Sequence, residues 1–359
     1  MKIVLIIHSL GLGGMERVMA LLATYFSKKP LVEVHLILIG IKREVAYPLP
    51  VEVRIHFPDF EFDNNKRTWY TLKTMFFLRR KVQSLQPSSV LSFGEYWNNL
   101  VLMSLLGLPY PVYVSDRSQP NKNLGKIQNI LRNRLYPKAS GFIAQTGIAK
   151  EVAKNLNWNK RIEVIGNPIR TIELSNDIPK ENIVLTVGRL IPTKNIDQLL
   201  QIFEEVALKD WKLVVIGGNA KKMNLLEKYQ SQIKEKGLEE RIIFKGAQSD
   251  VDTYYAKSRI FAFASSSEGF PNVLGEAMNA GLAVLAYDCV AGPSDMIDDG
   301  YNGYLIPLGN KSLFSEKLKI LMQNQHQREK FGHNAKLKMQ EFESEKIADQ
   351  FFKFISSRV

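Results

Sequence analysis

Residues 259–278 read RIFAFASSSEGFPNVLGEAM: an apolar run, Arg259–Ala264, broken at Ser265–Glu268 and resumed after Pro271 at helical spacing. A continuous apolar run marks a strand covered on both faces, as in a parallel sheet lined by helices. Pro271 suits the first turn of a helix, where a missing N–H costs nothing, and Gly281 suits its end. The stretch therefore predicts strand, loop and helix, with Glu268 in the loop and Glu276 inside the helix. Asn272 and Glu276, four residues apart, share a face.

The same punctuation recurs along the chain. In the first half the apolar runs are Lys2–Ile7, Glu33–Ile39, Ser89–Phe93, Pro111–Ser115, Gly141–Ala144 and Ile162–Gly166. In the second they are Ile183–Val187, Lys212–Gly217, Arg241–Lys245, Arg259–Ala264, Leu282–Ala286 and Gly303–Ile306. Two such sets imply two doubly wound α/β sheets in series, each binding ligand outside the carboxyl ends of its strands. A length of 359 residues is too long for one ordinary α/β core and comfortable for two. The aperiodic stretch NPIRTIELSNDIPK, Asn167–Lys180, places the boundary, giving domains over 1–168 and 169–335. A Lys- and Glu-rich helical pattern covers Gln327–Ser356. Its last part, 336–359, is expected to return to the first domain, because an amphipathic terminal helix must bury its apolar stripe.

Composition is that of a globular protein, 45% hydrophobic and 23% charged, and one cysteine, Cys289, excludes an intrachain disulfide. A reducing compartment fits that usage. The start, MKIVLIIHSLGLGG, has one basic residue and no small-residue cleavage site, so it reads as a first strand rather than a signal peptide. No window reaches the roughly 18 uninterrupted apolar residues of a membrane span. The net charge of +12 is unevenly placed. Residues 1–170 hold 24 Lys/Arg against 11 Asp/Glu, a net of +13, and residues 171–359 hold 24 against 25, a net of −1. The first half is expected to face something anionic.

Two further strand ends carry candidate chemistry. Gly11-Leu12-Gly13-Gly14-Met15-Glu16-Arg17 follows the first run and precedes a helix. Glycines there admit close approach of a ligand to backbone N–H groups, although the spacing is not G-x-G-x-x-G, and a plain tight turn explains it equally well. Val187-Gly188-Arg189-Leu190-Ile191-Pro192-Thr193-Lys194-Asn195 follows the first run of the second half. Its Arg supplies a fork and its Lys a point charge, able to clamp a diphosphate. Alone, each is also what a solvated loop looks like, and an isolated Glu276 also fits a surface helix.

Taken together, G-G-M-E-R, V-G-R-L-x-x-x-K-N and S-E-G-F-P-N-V-L-G-E-A-M resemble glycosyltransferase family 4. The likeness continues in Phe244-Lys245-Gly246, in Tyr287–Ile297 (YDCVAGPSDMI) and in Asn302–Pro307 (NGYLIP). It implies the GT-B fold, two Rossmann-like domains facing each other across a cleft. Within the family the chain looks most like bacterial enzymes that extend lipid-linked O-antigen, capsule or N-glycan precursors. The resemblance implies roles as well. Glu268 would lie near the donor sugar hydroxyls and Glu276 would hold the ribose. Arg189 and Lys194 would neutralise the leaving diphosphate. Gly269, Phe270, Asn272, Val273 and Leu274 would meet sugar and phosphate, Gly246 and Gln248 the base, and Gly13 and Gly14 would offer amides from the first domain. Asp116-Arg117 stands where many relatives carry an acceptor-side histidine. Arginine cannot serve as a base near neutral pH, so Asp116 takes any catalytic part there.

The family retains anomeric configuration, by front-side attack in the usual proposal, with the protein mainly positioning substrates and stabilising the leaving charge. The donor implied is a UDP-sugar carrying GalNAc, GlcNAc or Gal, and the acceptor a polyprenyl-diphosphate-linked glycan. No metal is expected: no D-x-D stands at a strand end, and Asp250-Val251-Asp252 opens a helix. Lys66–Lys81, KRTWYTLKTMFFLRRK, interleaves six cations with aromatic and aliphatic residues. Lys122–Lys138 repeats the pattern more mildly. Segments of this composition lie on anionic membrane surfaces, which makes Lys66, Arg67, Trp69, Phe76, Arg79 and Arg80 the expected contacts and the inner face of the cytoplasmic membrane the expected place. Apolar residues at this spacing also fit a face packed on the domain's own core. The competing readings are a GT-B enzyme with another donor or a soluble acceptor, a donor-binding subunit without catalysis, and a basic nucleic-acid-binding protein. No nucleic-acid motif supports the last.

Overall fold

The computed structural model describes every residue except 12, 41–44, 174–176, 207, 221–222 and 358–359. Its chain divides into two units, Met1–Pro168 with Ser344–Val359, and Ile169–Glu343. The first holds a parallel sheet of β1 (Lys2–Ile7), β2 (Glu33–Leu38), β3 (Val53–His56), β4 (Ser89–Phe93), β5 (Val112–Ser115), β6 (Gly141–Ala144) and β7 (Ile162–Val164). Its connecting helices are α1 (Gly14–Ser27), α2 (Arg67–Leu85), α3 (Glu95–Leu105), α4 (Lys126–Leu135) and α5 (Gly147–Asn155). The order across the sheet is β3-β2-β1-β4-β5-β6-β7.

The second unit holds six strands: β8 (Ile183–Val187), β9 (Lys212–Ile216), β10 (Ile242–Gly246), β11 (Ile260–Phe263), β12 (Ala283–Asp288) and β13 (Tyr304–Pro307). Its helices are α6 (Ile196–Val206), α7 (Leu225–Glu235), α8 (Asp252–Lys257), α9 (Asn272–Asn279), α10 (Pro293–Met296), α11 (Lys311–Gln323) and α12 (Gln325–Met339). The order β10-β9-β8-β11-β12-β13 repeats the plan of the first sheet. Both are Rossmann-like, and the strand order reverses between β1 and β4 and between β8 and β11, where ligands bind in open α/β sheets.

The apolar runs are buried because helices cover both faces. Along β9, Leu213 and Val215 join Leu199 and Phe203 of α6 in one layer, whereas Val214 and Ile216 join Leu274 and Met278 of α9 in the other. The strand missed from sequence is β3. It is four residues long, sits at the sheet edge and reads Val-Arg-Ile-His, with Val53 buried and Arg54 exposed. An edge strand covered on one side has no need of a continuous apolar run.

Within the first unit the chain ends in α13 (Ser344–Ser356), which buries Ile347, Ala348, Phe351 and Ile355. Phe351 packs on Phe93, and Phe354 takes the space that a Cβ on Gly141 would need. The helix expected over 336–359 thus begins at Ser344, and residues 336–343 stay with the second unit.

Beside the second switch point the ends of β8, β9 and β10 are stitched by backbone. Gly188 N–H donates to Ile216 O at 2.9 Å, Leu190 N–H to Gly218 O at 2.9 Å, and Gly217 N–H to Gly246 O at 2.8 Å. Gly217 adopts φ +152°, and a Cβ there would lie 1.8 Å from Gly188 O, so backbone rather than a flexible side chain bars it. Gly217→Ala is expected to destabilise the second unit by about 2–4 kcal/mol, read as a lowered urea midpoint. A midpoint equal to wild type would show that the two loops can part freely.

Candidate active site

At the carboxyl edge of the second sheet two neighbouring loops bring functional side chains into contact. Lys194 follows β8 and Glu268 follows β11, and Lys194 Nζ donates to Glu268 Oε1 at 2.5 Å. The loops are stapled together: Ser266 N–H donates to Thr193 O at 2.8 Å, and Asn195 Nδ2 to Ala264 O at 2.9 Å. Arg189, on the same loop as Lys194, is exposed and has no ion pair among the described residues. The two cations assigned to one clamp therefore differ: Lys194 is matched by a carboxylate, and Arg189 presents its whole charge outward.

Helix α9 starts at Asn272 with Pro271 as its N-cap, one residue later than the sequence suggested. Gly292 leaves room for Pro271, since a Cβ at Gly292 would lie 2.1 Å from the Pro271 ring. The helix closes as expected: Ala280 N–H donates to Glu276 O at 2.9 Å, Leu282 N–H to Ala277 O at 3.1 Å, and Gly281 takes φ +72°. The helix start offers fewer donors than its sequence promised. Asn272 N–H donates to Phe270 O and Leu274 N–H to Pro271 O, both at 3.0 Å. Phe270 and Leu274 bury their side chains in the core, and Gly269 and Val273 lie half-buried beside them. Gln248 is exposed and donates to Lys245 O at 2.6 Å, beyond Gly246 at φ +65°.

Glu276 is 6% exposed. Its Oε1 accepts from Arg170 Nε at 3.2 Å and its Oε2 from the Tyr255 hydroxyl at 3.3 Å. Arg170 Nη1 donates to Asp252 Oδ2 at 2.7 Å, and Nη2 bonds the other Asp252 oxygen. Sequence reading missed Arg170, Tyr255 and Asp252. Arg170 fell in the stretch read as a linker, and Asp252 was weighed only for metal.

The first unit gathers a second polar cluster at the carboxyl ends of β1, β4, β5 and β6. Asp116 is buried, accepting from Tyr136 Oη at 2.5 Å and Asn98 Nδ2 at 3.1 Å, with Arg132 Nη1 3.8 Å from its other oxygen. Burial first, and then the charge of Glu95, pushes the Asp116 carboxyl up to about 7, against the pull of Tyr136, Arg132 and Asn98. Arg117 lies over the Phe93 ring at 4.2 Å and donates to Asn167 Oδ1 at 2.5 Å. Burial lowers its guanidinium to about 9, with Glu95 opposing. Glu95 Oε1 accepts the backbone N–H groups of Arg117 and Ser118, at 3.1 and 2.8 Å. Asp116 and Arg117 are thus both engaged in the unit's own hydrogen bonds. The Gly13 amide is engaged too, donating to Tyr47 Oη at 3.0 Å, and α1 begins at Gly14. Beside that start His8 Nε2 lies 3.4 Å from Glu16 Oε1, and its ring stacks on Trp97.

Helix α2 buries Thr74, Leu78 and Val82 and exposes Trp69, Leu72 and Phe76. Lys66, Arg67, Lys73 and Arg80 are exposed around them, and a groove of about 940 Å³ runs along Trp69, Leu72, Lys73, Phe76 and Arg80. Arg79 departs from the expected set. Its Nη1 donates to Ser104 O at 3.2 Å and Leu106 O at 2.9 Å, capping the end of α3. Among the described residues no helix is long and apolar enough to cross a membrane, and no three His, Cys, Asp or Glu side chains form a metal-holding group.

Two Rossmann-like units, the second carrying Arg189, Lys194 and Glu268 in the loops after its strands, are the arrangement of a GT-B glycosyltransferase. The model for Glycosyltransferase Family 4 matches residues 12–172 and that for Glycosyl transferases group 1 residues 169–338. The chain belongs to this family. It is 30% identical, over 99% of both chains, to the Campylobacter jejuni N-acetylgalactosamine-N,N'-diacetylbacillosaminyl-diphospho-undecaprenol 4-alpha-N-acetylgalactosaminyltransferase. The lipopolysaccharide outer core galactosyltransferase WaaB superposes with a TM-score of 0.79 at 21% identity, over 100% of each chain. Anabaena HepE, solved in complex with UDP, superposes with a TM-score of 0.83 at 16% identity, also over 100% of each chain.

Because folding raises the pKa of Asp116 from 3.8 to about 7, the native protein holds a proton that the unfolded chain has released. The stability so gained is full below pH 3.8 and is lost as pH rises through about 7. Asp116→Asn keeps a neutral acceptor for Tyr136 and removes the titration. Between about pH 4.5 and 8 wild type should lose roughly 2–4 kcal/mol more stability than the variant in urea unfolding. Parallel pH profiles would place the Asp116 pKa near its ordinary value.

Proposed function

We propose that the enzyme moves an N-acetylhexosamine, with N-acetylgalactosamine first, from a UDP-linked donor to a polyprenyl-diphosphate-linked glycan, retaining anomeric configuration and needing no metal. The full-length match to an undecaprenol-linked N-acetylgalactosaminyltransferase carries this reading, and the UDP complex of HepE supports the nucleotide. In the step proposed, the bond from the sugar C1 to the diphosphate oxygen breaks and one from C1 to the acceptor hydroxyl oxygen forms on the same face. The acceptor proton passes to the departing phosphate oxygen. Arg189, with no counter-ion among the described residues, supplies most of the positive charge for the diphosphate. Lys194 adds a donor while tying down Glu268, whose second oxygen is left to the sugar hydroxyls. Two fixed cations near developing negative charge stabilise it without reorganising solvent.

The test is transfer of radiolabel from UDP-GalNAc into solvent-extractable lipid from source membranes, with and without EDTA. Arg189→Ala and Lys194→Ala should each lose about 2–4 kcal/mol of barrier stabilisation, and EDTA should leave wild type nearly unchanged. Near wild-type kcat in either variant would sink the leaving-group role, and a metal-reversible loss would sink the metal-free one.

The acceptor's lipid places the work at the anionic inner face of the cytoplasmic membrane, and α2 is the surface proposed to touch it. Each cation close to such a surface contributes about 1 kcal/mol, screened by salt. In co-sedimentation with phosphatidylserine vesicles, Lys73→Glu/Arg80→Glu should remove the salt-sensitive part of binding and Trp69→Ser/Phe76→Ser the salt-resistant part. If both bind as wild type does, another surface meets the membrane.

A further inference from the structure

We infer that Arg170 is a positioning residue for nucleotide recognition, holding the Glu276 carboxylate in the orientation that receives the donor's ribose hydroxyls. The inference rests on the UDP-linked donor proposed above. Arg170 is the second residue of its unit, and the residue before it is anchored directly on α9. Ile169 N–H donates to Phe342 O at 2.8 Å, and its side chain fills the place of the side chain that Gly275 lacks, a Cβ there lying 2.6 Å from Ile169 Cδ1. Docking next to Glu276 fixes where the guanidinium can reach. Its two terminal nitrogens fork onto both oxygens of Asp252, leaving Nε for Glu276 Oε1 at 3.2 Å. Tyr255, from the same helix as Asp252, holds its hydroxyl 3.3 Å from the other Glu276 oxygen and 3.3 Å from Val273 O, which share its one proton. Each oxygen of Glu276 thus meets a donor from a different element, so the carboxylate plane is set before any ligand arrives.

The charge balance indicates which ligand group this arrangement suits. Two carboxylates surround one guanidinium, a net of −1, which repels phosphate and favours hydroxyl donors such as a vicinal diol. A carboxylate with a preset plane discriminates strongly against a nucleotide that lacks one of the two hydroxyls, because its acceptor is then left unmatched. If Arg170 merely neutralised a buried charge, its loss would weaken folding but would not change that preference.

The experiment compares UDP with 2′-deoxy-UDP by calorimetric titration of the full chain, with melting temperature measured in parallel. Wild type should bind UDP about tenfold or more tightly over the deoxy form. Arg170→Ala should cut that ratio below about threefold, Arg170→Lys should restore part of it, and Asp252→Asn, which frees the fork, should fall between. Donor KM should rise in Arg170→Ala while kcat at saturating donor stays within about threefold of wild type. An unchanged ratio in Arg170→Ala, whatever its melting temperature, overturns the positioning role. Wild type binding both nucleotides equally also overturns it, while leaving a UDP-sugar donor intact. No UDP binding by wild type removes the donor reading and this inference with it.

Discussion

The contact between Lys194 and Glu268 exists because β8 and β11 lie side by side and point the same way. In a parallel sheet every strand delivers its following loop to one edge, and neighbours at the switch point send their helices to opposite faces. The two loops are then left facing each other with no helix between them. Here they are joined by Ser266 to Thr193 and Asn195 to Ala264, so a carboxylate 74 residues along the chain from its cation is held at hydrogen-bond length. Gly217 extends the constraint to β9, since its loop passes so close to the Gly188 carbonyl that no side chain fits. The same order in the first sheet sets Glu95, after β4, beside the loop after β5.

Strand positions were legible from sequence because buried parallel strands must be apolar on both faces. Twelve central and flanking runs need no other signal, and β3 escaped because an edge strand is released from that requirement. Site residues were legible where a loop follows a strand, as for Arg189, Lys194 and Glu268. What sequence could not show is which groups are already occupied. Nothing in S-E-G-F-P-N says that the Asn272 and Leu274 amides turn back on Phe270 and Pro271. Nothing in Asp116-Arg117 says that Tyr136 and Phe93 wait behind them. Partners that are distant in sequence decide those questions, and Arg170, 82 residues from Asp252 and 106 from Glu276, is the extreme case.

The two polar clusters also differ in kind. Around Asp116 and Glu95 the groups are buried among Tyr136, Asn98, Arg132 and Phe93, and the outcome is a carboxyl that ionises only near neutrality. A buried network of this sort specifies a single arrangement of loops and holds it only when its members are satisfied. Lys194 is paired with Glu268, whereas Arg189 keeps contact with water, which costs little in the unliganded protein and leaves its charge unmatched by a carboxylate. The first cluster therefore braces the β5 loop, and the second leaves the charge of Arg189 open to solvent.

The excess positive charge of the first half needs the same distinction between charges in use and charges on offer. Arg79 is bonded to the end of α3, Arg117 to Asn167 and Phe93, and Arg132 lies 4.2 Å over the Trp158 ring. Arg161 donates to Phe354 O and Ser357, fastening α13, and Lys29 pairs with Asp349 on that helix. A guanidinium spent on carbonyls or an aromatic face still counts toward a net of +13, yet its geometry is fixed by the fold. What remains for an external anion is a shorter set, and α2 holds Arg80, with Lys73 lying over the Trp69 and Tyr70 rings, on the face that also exposes Trp69, Leu72 and Phe76. Cations and aromatic rings on one exposed helix face can bind a headgroup layer in two ways at once, by charge and by insertion. It is this coincidence of side chains on one helix, more than the arithmetic of the half-chain, that supports the membrane contact proposed for α2.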